Sequence, residues 1–320
     1  MTPTDVVGQM LALGLDSPPQ PLNLSGKRVY FGPKKKQWYR LHEMRTRGGT
    51  FVTVGGFGNF KTGEFFKVDV DWKGIGAEER AHLASLRDAA ARSAAIQREE
   101  ESRRAAMTAA ELWRHGLRDG VSPYLQRKGV EPESCRYVAD GSILVPLLRY
   151  DMPREQALRA VQRIFPDGSK RFTRGFEKPR ACLRLGLVAM GEPMLICEGY
   201  ATGLTLRMAV DRRLPVFVAL DAGNLLPVAE MLRELHPQNR ILVCADDDYR
   251  TRGNPGREKA HKLTKTVPDA AYTWPIFRSI NRGPKDTDFN DLHAREGLHV
   301  VRRQLRHVLP MLGSEILNAA

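Results

Sequence analysis

Between residues 24 and 73 apolar and polar side chains alternate and glycines punctuate the runs, as in RVYFG, GGTFVTVGGFGNF and EFFKVDVDW. A period of two predicts half-buried strands, so this stretch reads as a small antiparallel sheet of three to five strands. From Ala77 to His115 the texture shifts to Ala, Glu, Arg and Leu without glycine or proline, which predicts one long helix or a helical pair. Residues 120–186 mix strands and turns: SILVPLLRY predicts a strand, and AVQRIFPDGSKRF a strand, a Pro-Asp-Gly turn and a second strand. In the last third, short apolar runs (PMLICEG, LPVFVALDAG, RILVCADDD) alternate with helical segments (ATGLTLRMAVDRR, NLLPVAEMLRELHP, NPGREKAHKLTKTV), and AAYTWPIF follows. That rhythm predicts a parallel sheet in an α/β domain.

Composition adds bounds. A chain of 320 residues, 42% apolar, can bury more than one core. The N-terminal MTPTDVVGQMLALGLDSPPQ lacks the basic segment of a secretory leader and no apolar run is long enough for a membrane span, so a cytoplasmic protein without membrane contact is expected. Cys135, Cys182, Cys197 and Cys244 stand singly, which offers neither a zinc knuckle nor a disulfide framework, and no zinc is expected. The net charge of +13 favours a polyanionic partner. Residues 27–47 hold eight Lys/Arg against one Glu with aromatics interleaved. Lys34, Lys35, Lys36, Trp38 and Tyr39 are the candidates for contacting nucleic acid there, the alternative being an ordinary hairpin with a solvated basic face. Residues 149–184 hold ten Lys/Arg against four Asp/Glu. Lys170, Arg171 and Arg174 are expected to lie close together beside the turn, for phosphate contacts or for solubility.

The chemistry concentrates in carboxylates. In a parallel α/β sheet, ligands bind beyond the carboxyl ends of the strands. Glu198 ends the first run, Asp221 the second, and Asp246, Asp247 and Asp248 the third. Alternation lets Asp246 and Asp248 face one site while Asp247 points elsewhere. Asp221 reads first as a cap for the helix that starts near Asn224, with a place in the site as the alternative. An all-oxygen acidic site without histidine suits Mg²⁺ or Mn²⁺. In TRGNPGREKAHKL, Asn254 is expected to cap a helix starting at Pro255, with Arg257 and Lys259 placed to hold phosphate, the alternative being two solvated helix cations. In KDTDFNDLH, Asp288 or Asp291 could join the site from a loop or cap a helix.

EGYATGLTL, FVALDAGNLLPVAEML, ILVCADDD with GNPGREKA, and DFNDL, in this order, resemble the TOPRIM domain of primases carried by plasmids, phages and mobile elements. The resemblance spans about residues 190–295, and by it Glu198, Asp246 and Asp248 match the Mg²⁺ ligands. Glu198 can alternatively be a general acid or base. Upstream, YLQRKGV, ILVPLLR and QRIFPDGSKRF are similar to the other half of the primase core, which implies that Lys170 and Arg171 meet template or nucleotide. The chain departs from the chromosomal primase pattern in having no Cys/His zinc cluster and no Walker A sequence.

The resemblance implies an α/β fold made of a parallel-sheet TOPRIM catalytic domain, a preceding mixed α+β primase subdomain and a small N-terminal β module. The expected divisions are 1–76 (β module), 77–117 (helical connector), 118–188 (primase subdomain), 189–300 (TOPRIM) and 301–320 (C-terminal helix). It implies a DNA primase that makes short RNA or mixed primers on a single-stranded DNA template from nucleoside triphosphates, with a replicative helicase as an expected partner. A TOPRIM nuclease and a catalytically silent DNA-binding adaptor are the alternatives. If residues 1–76 read template, deleting them weakens single-stranded DNA binding.

Overall fold

The computed structural model describes residues 3–313, except 46–48, 50, 61, 63, 71–75, 279 and 281. It divides into two compact units, Met1–Ile96 and Gln97–Ala320.

The first unit begins with helix α1 (Pro3–Ala12), which the alternation pattern did not announce. Strands β1 (Ser25–Phe31), β2 (Gln37–Arg45), β3 (Phe51–Asn59) and β4 (Glu64–Lys67) follow, forming an antiparallel sheet in sequence order. The period of two works as expected: Phe31, Tyr39, Leu41 and Phe57 point inward and pack with Val6 and Met10 of α1. Helix α2 (Ala77–His115) is a single helix that runs out of this unit into the next.

The second unit holds two sheets. After α3 (Pro123–Lys128), strands β5 (Arg136–Tyr137), β6 (Ile143–Leu148), β7 (Leu158–Ile164) and β8 (Lys170–Phe172) form an antiparallel sheet in sequence order. The other elements are β9 (Leu183–Leu185), β10 (Met194–Cys197), α4 (Tyr200–Ala209), β11 (Val216–Val218), α5 (Ala222–Leu235), β12 (Ile241–Cys244), α6 (Pro255–Thr266), β13 (Ala270–Thr273), α7 (Phe289–Glu296) and α8 (Leu298–Val308). Their sheet has the order β13-β12-β10-β11-β9. Strands β10 to β13 are parallel, and β9 pairs antiparallel with β11 at the edge.

Both faces of this sheet are covered, which is why its central strands β10, β11 and β12 are apolar throughout. Leu195, Cys197, Val216 and Leu242 pack beneath α4, α7 and α8, whereas Ile196, Phe217, Ile241 and Val243 meet α5 and α6. The first of these cores also takes in Tyr124, Ile143, Val145 and Ile164, so the antiparallel sheet and the parallel one share a hydrophobic interior. The expected C-terminal helix over 301–320 is corrected: α8 starts earlier and ends at Val308, and a 3-10 turn Leu309–Leu312 follows. Pro310 has no N–H to continue an α-helical ladder. Residues 314–320 lie outside the described residues.

Candidate active site at the carboxyl edge of the parallel sheet

Strands β10 and β12 are parallel neighbours, with Leu195 opposite Leu242 and Ile196 opposite Val243. Glu198 and Asp246–Asp248 therefore leave the sheet side by side at its carboxyl edge, where the strand order reverses. Alternation separates the three aspartates. Asp247 is buried and fully engaged: its carboxylate accepts from Arg282 at 2.8 Å and Asn254 at 2.7 Å, with Arg257 at 3.6 Å. Asp248 Oδ2 accepts from the Gly256 N–H at 3.2 Å, at the start of α6. This corrects the expected cap. Asn254 does precede α6, but at φ 45° and ψ 72°, and its side-chain amide turns to Asp247. Gly256 is needed for close approach, because a Cβ there would stand 2.4 Å from the Asp246 carbonyl oxygen.

Glu198 Oε1 and Asp246 Oδ1 are buried, and neither has a hydrogen-bond partner. Burial, then the charges of Asp248 and Asp221, pushes the Glu198 carboxyl up to about 7, against the Ala222 N–H, which pulls it down. Burial, then Glu198 and Asp288, pushes Asp246 well above the usual carboxylate range. Two carboxylates 4 Å apart repel by about 4 kcal/mol at an effective dielectric of 20, so such a set invites a cation. Among the described residues no three His, Cys, Asp or Glu side chains already converge on one metal position. The carboxylates are near enough to raise one another's pKa without being closed around a common point.

Asp288 and Asp291 unite the two readings that the sequence left open. They form a capping box at the start of α7, with the Asp291 N–H donating to Asp288 Oδ1 at 2.8 Å. Asp288 also lies within electrostatic reach of Glu198 and Asp246. Its own pKa is raised, first by burial and then by Asp291, against lowering by the Asp291 N–H, Lys128 and the Thr202 hydroxyl. Asp221 caps α5, accepting from the Gly223 N–H at 2.9 Å, and pairs with Lys178 at 2.6 Å.

Of the basic candidates, Lys170 reaches this edge. The residue as a whole is exposed, yet burial lowers its pKa; Asp288 and Asp246 act to raise it, and Lys128 to lower it further. Lys128, which sequence reasoning passed over inside the quoted YLQRKGV, stands 3.7 Å from Asp291. Arg171 does not accompany Lys170. The register sets Lys170 against Ile164 and Arg171 against Arg163, so the two point to opposite faces, and Arg171 lies over the Phe165 ring at 5.3 Å. Arg174 is exposed beyond β8. Arg257 packs 3.9 Å over Trp274 besides meeting Asp247, and Lys259 is exposed on α6. In the first unit Lys34, Lys35 and Lys36 are exposed, but Tyr39 is 1% exposed and its hydroxyl accepts from the Asn23 N–H. Its expected contact with nucleic acid is corrected, because strand alternation turns it into the core.

Residues 193–299 match the family model described as Toprim domain. Two Escherichia coli proteins, each named DNA primase TraC, are 30% and 31% identical to the chain over 251 and 242 residues. The alignments cover 74% and 71% of this chain but only 23% and 16% of those proteins, so the chain spans less than a quarter of their length. The primase fragment of the bacteriophage T7 primase-helicase protein aligns over 57% of this chain and 69% of that one, at 15% identity and a TM-score of 0.39. No helix among the described residues is long and apolar enough to cross a membrane.

Proposed function

We propose that this chain is a DNA primase core that synthesises short RNA or mixed primers on single-stranded DNA by nucleotidyl transfer. The observation that carries this reading is the pair of buried, unpartnered oxygens, Glu198 Oε1 and Asp246 Oδ1, on adjacent parallel strands of the segment that matches the Toprim domain model. Their surroundings suit a hard divalent cation: the donors are all carboxylate oxygens, and their mutual repulsion raises their pKa values. Asp246 and Asp248 would hold Mg²⁺ or Mn²⁺, with Glu198 and Asp288 beside them. When bound, the ion would neutralise charge building up on the phosphates.

The chain's own groups supply the rest. Lys170 and Lys128 stand at the mouth of the acidic set and meet the triphosphate. The 3′-hydroxyl oxygen bonds to the α-phosphorus, the bond to the bridging oxygen breaks, and pyrophosphate leaves. Glu198 Oε1, with a pKa near 7, can accept the hydroxyl proton at neutral pH if it is not bound to the ion. Residues 118–188 and 189–300 together would form the catalytic core. The test is incubation with single-stranded DNA, labelled nucleoside triphosphates and Mg²⁺, resolved on a gel. Extended products that vanish in Asp246→Ala and Asp248→Ala support the reading. Cleavage of the DNA without nucleotides points instead to a nuclease, and neither activity to a silent adaptor.

A further inference from the structure

The N-terminal sheet carries an aromatic row that the acidic site does not use. Tyr30, Trp38, Gly58 and Phe65 stand in register across β1 to β4. Gly58 contributes no side chain, and over it the Trp38 and Phe65 rings stack with centroids 5.7 Å apart and planes 12° from parallel. Glycine is needed there, since a Cβ would stand 2.4 Å from the Glu64 carbonyl oxygen. Phe60 extends the row, its ring 6.0 Å from Trp38 and 6.1 Å from Tyr30. Phe31, Tyr39 and Phe57, on the opposite face, fill the core with α1. On this face Tyr30, Phe60 and Phe65 remain 48%, 52% and 57% exposed. A patch of large exposed rings is costly in water and marks a contact surface.

Charge decides the partner. Arg28 and Arg40 stand directly opposite each other on β1 and β2, a repulsive pairing for a sheet on its own. Arg28 lies over the Trp38 ring at 4.4 Å, and Lys34, Lys35 and Lys36 are exposed at the turn between the two strands. Stacked rings flanked by cations fit a chain of bases joined by phosphates, because every base offers a π-face whatever its sequence. We propose that this face binds single-stranded DNA, with bases stacking on Tyr30, Trp38, Phe60 and Phe65 and phosphates held by Arg28, Arg40 and the turn lysines.

The full chain, without nucleotides or Mg²⁺, is photocrosslinked to a short oligodeoxythymidine containing bromodeoxyuridine, so nucleotidyl transfer and this contact can each fail alone. Crosslinks in the peptides holding Tyr30–Trp38 or Phe60–Phe65 are expected, and crosslinks confined to residues 97–320 overturn the proposal. Fluorescence anisotropy provides the second measurement. The double variant Trp38→Ala/Phe65→Ala, checked for an unchanged circular dichroism spectrum, should bind roughly tenfold or more weakly, while Trp38→Phe, which keeps a ring, stays within about threefold of the parent. Unchanged affinity in the double variant overturns the proposal. So does a double variant that loses self-association while keeping its DNA affinity, which would assign the face to a second copy of the chain.

Discussion

On one side of the end of β12, Asp247 meets Arg282 at 2.8 Å and Asn254 at 2.7 Å, and nearby Asp286 is held by Arg295 at 2.7 Å. On the other side, Asp246 Oδ1 and Glu198 Oε1 are buried without a partner. At the centre of the contrast stand Asp246 and Asp247, the same residue type one position apart. The fold supplies arginines to neutralise the first group and leaves the second unneutralised, although a buried lone carboxylate costs stability. Such a cost is retained where a group is kept for a ligand or for chemistry, and the paired side explains how the unpaired one stays in place. Arg282 donates to Asp247 and, through Nε, to the Asp286 carbonyl oxygen at 2.9 Å, tying the segment that leads into α7 to the end of β12.

The largest expected effect comes from Asp246→Asn. If the unpaired side is the reaction site, primer synthesis should fall about 1,000-fold or more. The same variant should unfold at a higher temperature than the parent at pH 8 without Mg²⁺, because it removes a charge that burial and its neighbours penalise. Gel assays and thermal scans on one preparation check both; retained synthesis would erase the contrast between the two sides. Next is Asp247→Asn, which leaves Arg282 facing a neutral partner at a mostly buried position and should cost about 3 kcal/mol in urea unfolding. A variant as stable as the parent would show that the latch does not hold the edge. A smaller effect separates Lys170 from Arg171: Lys170→Ala should lower kcat/KM for the nucleotide about tenfold, and Arg171→Ala less than about twofold. Equal losses would mean that both faces of β8 serve the site.

The sequence carried the parts of this picture that depend on local pattern. Alternation placed Asp246 and Asp248 apart from Asp247, and apolar runs before Glu198 and Asp246 marked covered parallel strands. What it did not carry depends on strand order and on long-range pairing. Alternation within β8 could have separated Lys170 from Arg171, but which face meets the acids is set by packing with β7 and the shared core. Lys128 comes to Asp291 through long-range pairing: Asn290 donates to the Lys128 carbonyl oxygen at 2.8 Å across 162 positions of sequence, and His293 Nε2 lies 3.1 Å from the Gly129 carbonyl oxygen. Asp248, rather than Asn254, receives the first N–H of α6 because Gly256 lets that helix press onto the Asp246 backbone.

The smallest effect tests the electrostatics of the unpaired side directly. The Glu198 carboxyl rises from an ordinary value of 4.5 to about 7 on folding, so between these values the folded chain binds the proton that the unfolded chain has released. Stability from this group is therefore fully present below about pH 4.5 and is lost as pH rises through 7. Burial moves Asp246 and Asp288 in the same direction. Burial of His42 and His236 lowers their pKa values, which adds stability as pH rises, so the informative quantity is the difference between the parent and Glu198→Gln. From pH 6.5 to pH 8 the parent should lose about 1 kcal/mol relative to Glu198→Gln in urea unfolding without metal. Millimolar Mg²⁺ should restore it at pH 8 and change little at pH 5.5, where the carboxyl holds a proton that the ion must displace. Parallel pH profiles for the two proteins, or an equal response to Mg²⁺ at both pH values, would show that Glu198 is neutralised within the fold and that the acidic edge is as well paired as Asp247.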